Sequence, residues 1–137
     1  MVHFTGHAGA LPDDPLESAL SLGEEQLTVR DVLAGGSLRA RMAVLSACQT
    51  SVIGDALPDE AVGLPSALLQ AGLSGVVATQ WAAYDSFTLP LISAFYDEWL
   101  RRGAHPAVAL ARAQRACLRG AGDPSPFAWA NFSYTGF

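Results

Sequence analysis

Apolar and polar positions change period several times along the chain, and each change predicts an element. Val2 and Phe4 alternate with His3 and Thr5, the two-residue period of a strand, and the run breaks at Gly6. In "ALSLGEEQLT" Leu20 and Leu22 alternate, Gly23 turns and Leu27 returns, which predicts a small hairpin. Thr28 then stands where an N-cap belongs, ahead of "VRDVLAG", a short helix ended by Gly35 and Gly36. "MAVLSA", residues 42–47, is a continuous apolar run of strand length, as expected for a sheet buried on both faces. Past the polar "SVIGDALPDE", a helix starts near Leu64 with Pro65 in its first turn. Leu64, Ala67, Leu68 and Ala71 share a face of it, and Gly72 is its stop.

"SGVVATQW" reads as the next buried strand. Ile92, Phe95 and Trp99 recur at helical spacing and predict a long helix with Gly103 past its end. Its start falls between Asp85 and Thr88, with Pro90 in the first turn. Pro106 opens a further helix, with Leu110, Cys117 and Leu118 inward, Arg112, Arg115 and Arg119 outward, and Gly120 at its end. "NFSYTG", residues 131–136, closes the chain as a strand. Strands alternating with helices predict one α/β domain over residues 1–137, with a largely parallel sheet and helices on both sides.

Composition narrows the function. Half of the 137 residues are hydrophobic and 15% are charged, which is the balance of a well-buried globular chain. The formal charge is −5, and all eight basic residues are arginines. Arg112, Arg115 and Arg119 form the one basic cluster, and their spacing is that of a solvated helix face. Nucleic acid is therefore not expected as a partner. No apolar run reaches the ~18 residues of a membrane span. The opening "MVHFTGHAGA" has no basic leader or cleavable apolar stretch, so the expected compartment is the cytoplasm. Cys48 and Cys117 are too few for a disulfide framework.

Ligands of open α/β sheets gather at the carboxyl ends of the strands. His7 follows the first predicted strand, Cys48 follows "MAVLSA", and Asp85 lies beyond "SGVVATQW". A histidine can take the proton of a thiol at neutral pH and return it to a leaving amine. Backbone N–H groups at the turns after the strands could receive an oxyanion, the candidates being those of Cys48 and Ala8. Each residue also has a plainer reading. Cys48 can be a buried structural thiol, His7 a turn residue bonded to backbone, and Asp85 a helix cap. His3 and His7, four apart, straddle a strand and a turn without further ligands, so no metal and no other cofactor is expected. His3 reads as a packing or supporting histidine, Asp59 and Glu60 as rim or cap residues, Cys117 as core, and Trp81, Trp99 and Trp129 as packing.

"HFTGH", "VLSACQTS", "GLPSALLQAGLSGVVATQW", "FYDEWL", "AVALARAQ" and "PFAWANFSYTG" together resemble, in order and spacing, the CHAT family of caspase-like peptidases associated with tetratricopeptide repeats. The resemblance implies the three-layer caspase-type α/β sandwich, with His7 as the second histidine of the family's His motif and Cys48 as its nucleophile. In related arginine-directed peptidases an aspartate after the tryptophan-bearing strand lines the specificity pocket. Asp85, after Trp81, is similar in position and implies cleavage after a basic residue, Arg before Lys. Two departures stand out. Ala8 occupies the place of a glycine directly after the histidine. The family domain also extends upstream of the His-bearing strand, so the resemblance is to its carboxyl-terminal portion. It implies a sheet truncated on the N-terminal side, with an edge open to a partner chain. The implied partners are a protein or peptide substrate, and a tetratricopeptide-repeat protein or a chain that completes the sheet. An inactive CHAT fragment serving as an interaction module, and a redox-sensing thiol protein, are the alternatives.

Overall fold

The computed structural model describes residues 1–9, 11, 13–47, 63–81, 85–120 and 125–137. Strand β1, Val2–Gly6, is followed by a two-residue strand β2, Ala8–Gly9, and by a 3₁₀ turn, Pro15–Glu17. Strands β3, Ala19–Leu22, and β4, Glu25–Thr28, form the predicted hairpin, with Gly23 at φ 76° in its turn, a conformation glycine adopts without steric cost. Helix α1, Val29–Ala34, starts from Thr28 through a complete capping box. The Thr28 hydroxyl accepts from the Asp31 N–H at 3.0 Å, and the Asp31 carboxylate accepts from the Thr28 N–H at 3.0 Å.

Strand β5, Met42–Ala47, helix α2, Leu64–Gln70, and strand β6, Gly75–Thr79, lie where the apolar runs predict them. Helix α3, Asp85–Tyr96, passes into a π-helical turn, Asp97–Arg101, and is followed by α4, Pro106–Arg119, α5, Pro126–Trp129, and β7, Phe132–Gly136. The main sheet has the order β1-β5-β6-β7, with β1, β5 and β6 parallel and β7 antiparallel to β6. A second, three-stranded antiparallel sheet has the order β2-β3-β4.

Alternation along β5 and β6 explains the layers. Ala43, Leu45, Val76 and Ala78 point to one face, where they pack with α1 and α2 through Val29, Val32, Leu64, Ala67 and Leu68. Met42, Val44 and Val77 point to the other, against Leu91, Ile92 and Phe95 of α3 and Ala109, Leu110 and Ala113 of α4. The result is an α/β sandwich of three layers, with a mostly parallel sheet in the middle, consistent with the caspase type. β1 is an edge strand, and Val2 is 48% exposed.

Two expectations need correction, and one element was not expected. Pro90 lies inside α3, in its second turn, because the helix starts at Asp85, the early limit of the expected range. Its lost N–H and ring clash cost a helix ~3 kcal/mol. Burial of Leu91, Ile92 and Phe95 right behind it offsets that cost. Leu118 does not turn inward: it is 43% exposed, because the buried stripe of α4 is Ala109, Leu110 and Ala113. Continued by four residues this stripe reaches Cys117, and Leu118 is rotated a further ~100° off it. Finally, "PFAW" is a helical turn, which the apolar pattern did not foretell because four residues carry no period.

Candidate active site

The carboxyl edge of the main sheet is built by pairing. β1 and β5 are in parallel register from Val2↔Ala43 to Gly6↔Ala47. The last pair places the ends of two neighbouring strands side by side, ~4.8 Å apart in the hydrogen-bonding direction. His7 follows one member of that pair, and the chain runs from the other directly into position 48. Cys48, with its N–H, lies outside the described residues, as do Asp59 and Glu60.

His7 is the single residue between β1 of the main sheet and β2 of the small one. Its carbonyl accepts a hydrogen bond from the Ser21 N–H at 2.9 Å, which ties the backbone at His7 to β3. The His7 side is exposed to solvent. Ala8 is paired with Leu20, one step beyond the Ser21–His7 bond. In an antiparallel ladder hydrogen-bonded and non-hydrogen-bonded pairs alternate, so Ala8 belongs to a non-hydrogen-bonded pair and its N–H points away from β3. Asp85 is the first residue of α3, beyond the end of β6. At that end the Gln80 N–H donates to the Asn131 carbonyl at 2.7 Å, and Asn131 is buried. Trp81 packs edge-on to Phe127 of α5, with ring centroids 5.7 Å apart.

Behind this edge the structure assembles polar groups that sequence reasoning missed. On the α3 side of the sheet, His3 Nε2 lies 3.3 Å from the Ser46 hydroxyl and 3.3 Å from the Thr5 hydroxyl. The His3 ring is tilted against Tyr96 at 5.6 Å. Burial pushes the His3 imidazole below its ordinary pKa and the Tyr96 phenol above its own, because each charged form would be poorly solvated there. The supporting part read for His3 thus has a concrete form. Ser46, Thr88 and Tyr96 carried no signal, since a lone hydroxyl in an apolar segment has no spacing to reveal it. Among the described residues, no cluster of His, Cys, Asp and Glu is arranged to hold a metal ion, and no helix is long and apolar enough to cross a membrane.

Cys117 sits on α4, away from these groups, and lines a cavity of about 430 Å³ with Phe87, Pro90 and Ala128. Burial raises its thiol pKa, which keeps it protonated.

No curated protein matches the chain. The CHAT domain model matches residues 1–136, nearly its whole length. With the sandwich fold and a His-bearing strand beside the strand that leads to Cys48, this match establishes that the chain belongs to the CHAT domain family of caspase-like peptidases.

Proposed function

We propose that the chain is a cysteine endopeptidase of the caspase/separase type, acting in the cytoplasm through a Cys48–His7 dyad. The observation that carries this reading is the Gly6↔Ala47 pair, from which His7 and position 48 follow on adjacent parallel strands. In the proposed reaction His7 takes the Cys48 proton, and the thiolate attacks the peptide carbonyl. The resulting oxyanion is received by the N–H groups of Ala8 and Cys48. His7 then protonates the leaving amine, and water hydrolyses the thioester with His7 as base. The outward direction of the Ala8 N–H supports its part, since it spends no bond on β3. Asp85, at the start of α3, is the proposed partner of a basic side chain before the cut, Arg in preference to Lys.

An arginine-based acyloxymethyl ketone tests the dyad. The native chain is expected to be labelled, and Cys48→Ala and His7→Ala are not. Labelling that persists without His7, or no labelling of a chain folded by circular dichroism, would sink the reading. A second reading, an interaction module without catalysis, draws on β1. This edge strand has no charge, proline or bulge to deter pairing, and a partner chain could complete the sheet there. A folded chain that neither reacts nor cleaves, yet binds an extended peptide along β1, would favour it. A tetratricopeptide-repeat protein is the proposed companion in either case.

A further inference from the structure

A cavity of about 350 Å³ opens between β1, β5 and α3, lined by His3, Thr5, Ser46, Thr88, Leu89 and Ile92. Its size is within the ~300–1,000 Å³ of small-molecule pockets. Thr5 pairs with Ser46 one step before the final Gly6↔Ala47 pair. At ~3.3 Å per residue, Thr5 is thus ~7 Å along the chain from His7, and His3 is ~13 Å away. A peptide crossing the carboxyl edge of the sheet could put a side chain into this cavity.

The lining says which side chain. Leu89 and Ile92 offer apolar surface for a stem, while His3, Thr5, Ser46 and Thr88 offer hydrogen-bonding ends. None of these six residues carries a formal charge at neutral pH, and burial holds His3 toward its neutral form. A charged side chain would find no counter-charge among them, and a neutral one forfeits less hydration on entering. The Thr88 hydroxyl is buried and finds no hydrogen-bond partner among the described residues. A buried orphan of this kind is costly, and a ligand group that pairs it would recover the loss. A carboxamide fits these terms: its oxygen accepts from one hydroxyl, and its NH₂ donates to another or to the imidazole.

We propose that this cavity is a second specificity subsite, distinct from Asp85, that takes a glutamine side chain of the substrate peptide. The inference rests on the reading that peptides cross this edge, but binding tests it without turnover. The probes are peptides with one arginine and a glutamine moved through each flanking position, with methionine and glutamate replacing it as apolar and charged counterparts. Binding to the Cys48→Ala chain is measured by calorimetry.

At one position glutamine is expected to bind at least about tenfold more tightly than either counterpart. Thr88→Val, which removes the hydroxyl and keeps the volume, should abolish that preference. Methionine binding as well as glutamine, a preference untouched by Thr88→Val, or no binding of any peptide would overturn the subsite. Cleavage of the same peptides by the native chain separates the two claims. Cleavage indifferent to glutamine removes the subsite alone, whereas a glutamine preference in binding with no cleavage removes the peptidase alone.

Discussion

His3 Nε2 and the Ser46 hydroxyl lie 3.3 Å apart across the β1–β5 pair, with the Thr5 hydroxyl at the same distance from that nitrogen. They are 43 positions apart in the chain, and parallel pairing of two strands makes them neighbours. The imidazole is partly shielded and its pKa is lowered by burial. Protonation is therefore favoured in the unfolded chain over the folded one. The His3 contribution is fully present above the unfolded value of ~6.5 and is lost as pH falls toward the lower folded value. Thermal unfolding from pH 8 to 5 should show a destabilisation toward acid that is weaker in His3→Gln. An identical pH profile for the two proteins would mean that His3 is not shielded.

The proposed Cys48–His7 dyad predicts large kinetic effects. Cys48→Ala and His7→Ala should each lower kcat/KM for an arginine peptide by a factor on the order of 10³ or more, and the double variant by no more than the larger single loss. Losses that multiply instead would mean that the two side chains do not act as one unit.

The Thr28–Asp31 capping box predicts a stability effect remote from the candidate site. Besides the two backbone bonds, the Thr28 hydroxyl donates to the Asp31 carboxylate at 2.7 Å. Thr28→Ala should cost about 1 kcal/mol in denaturant unfolding. The hydrogen bonds from Thr28 hold the Asp31 carboxyl below its usual range. Its contribution is thus present above the unfolded carboxylate value of ~3.9 and is lost as pH falls through the lower folded one. The stability difference between the native chain and Asp31→Asn should shrink in that acid window and stay constant above pH 5.

Gly75 predicts a coupling. A Cβ built there would come within 2.6 Å of the Tyr134 hydroxyl and 2.7 Å of its ring, so the Tyr134 side chain lies across the glycine. The Tyr134 hydroxyl donates to the Phe137 carbonyl at 3.0 Å, and its ring meets His105 edge-on at 5.7 Å. Gly75→Ala should displace the ring and cost about 1–3 kcal/mol. Combined with Tyr134→Ala it should cost less than the sum of the two single changes. Additive losses in chemical denaturation would show that the ring does not need the glycine.

Much of the fold was legible because it rests on local periods. "MAVLSA" and the Gly75–Thr79 part of "SGVVATQW" have the length and apolar continuity of strands buried on both faces, and Thr28 ahead of "VRDVLAG" marks a helix start. Pro90 and Leu118 were misplaced for a shared reason. Where a helix starts, and which side of it faces inward, is decided by the layer it packs against, and that layer comes from distant sequence. That His7 follows β1 and Asp85 lies beyond β6 was readable from element order alone, whereas Cys48 lies outside the described residues.

What the sequence determined by itself was therefore the longer strands and helices, the apolar runs that become β5 and β6, and the residue types suited to thiol chemistry. Only the tertiary structure decided that β1 pairs with β5 so that Gly6 stands beside Ala47. It alone turned the Ala8 N–H away from β3, and joined His3, Thr5, Ser46 and Thr88 around one cavity. The physical reason is range. A period is set by neighbours two to four residues apart, whereas strand pairing and cavity walls join residues dozens of positions apart, whose contacts exist only after the chain has folded.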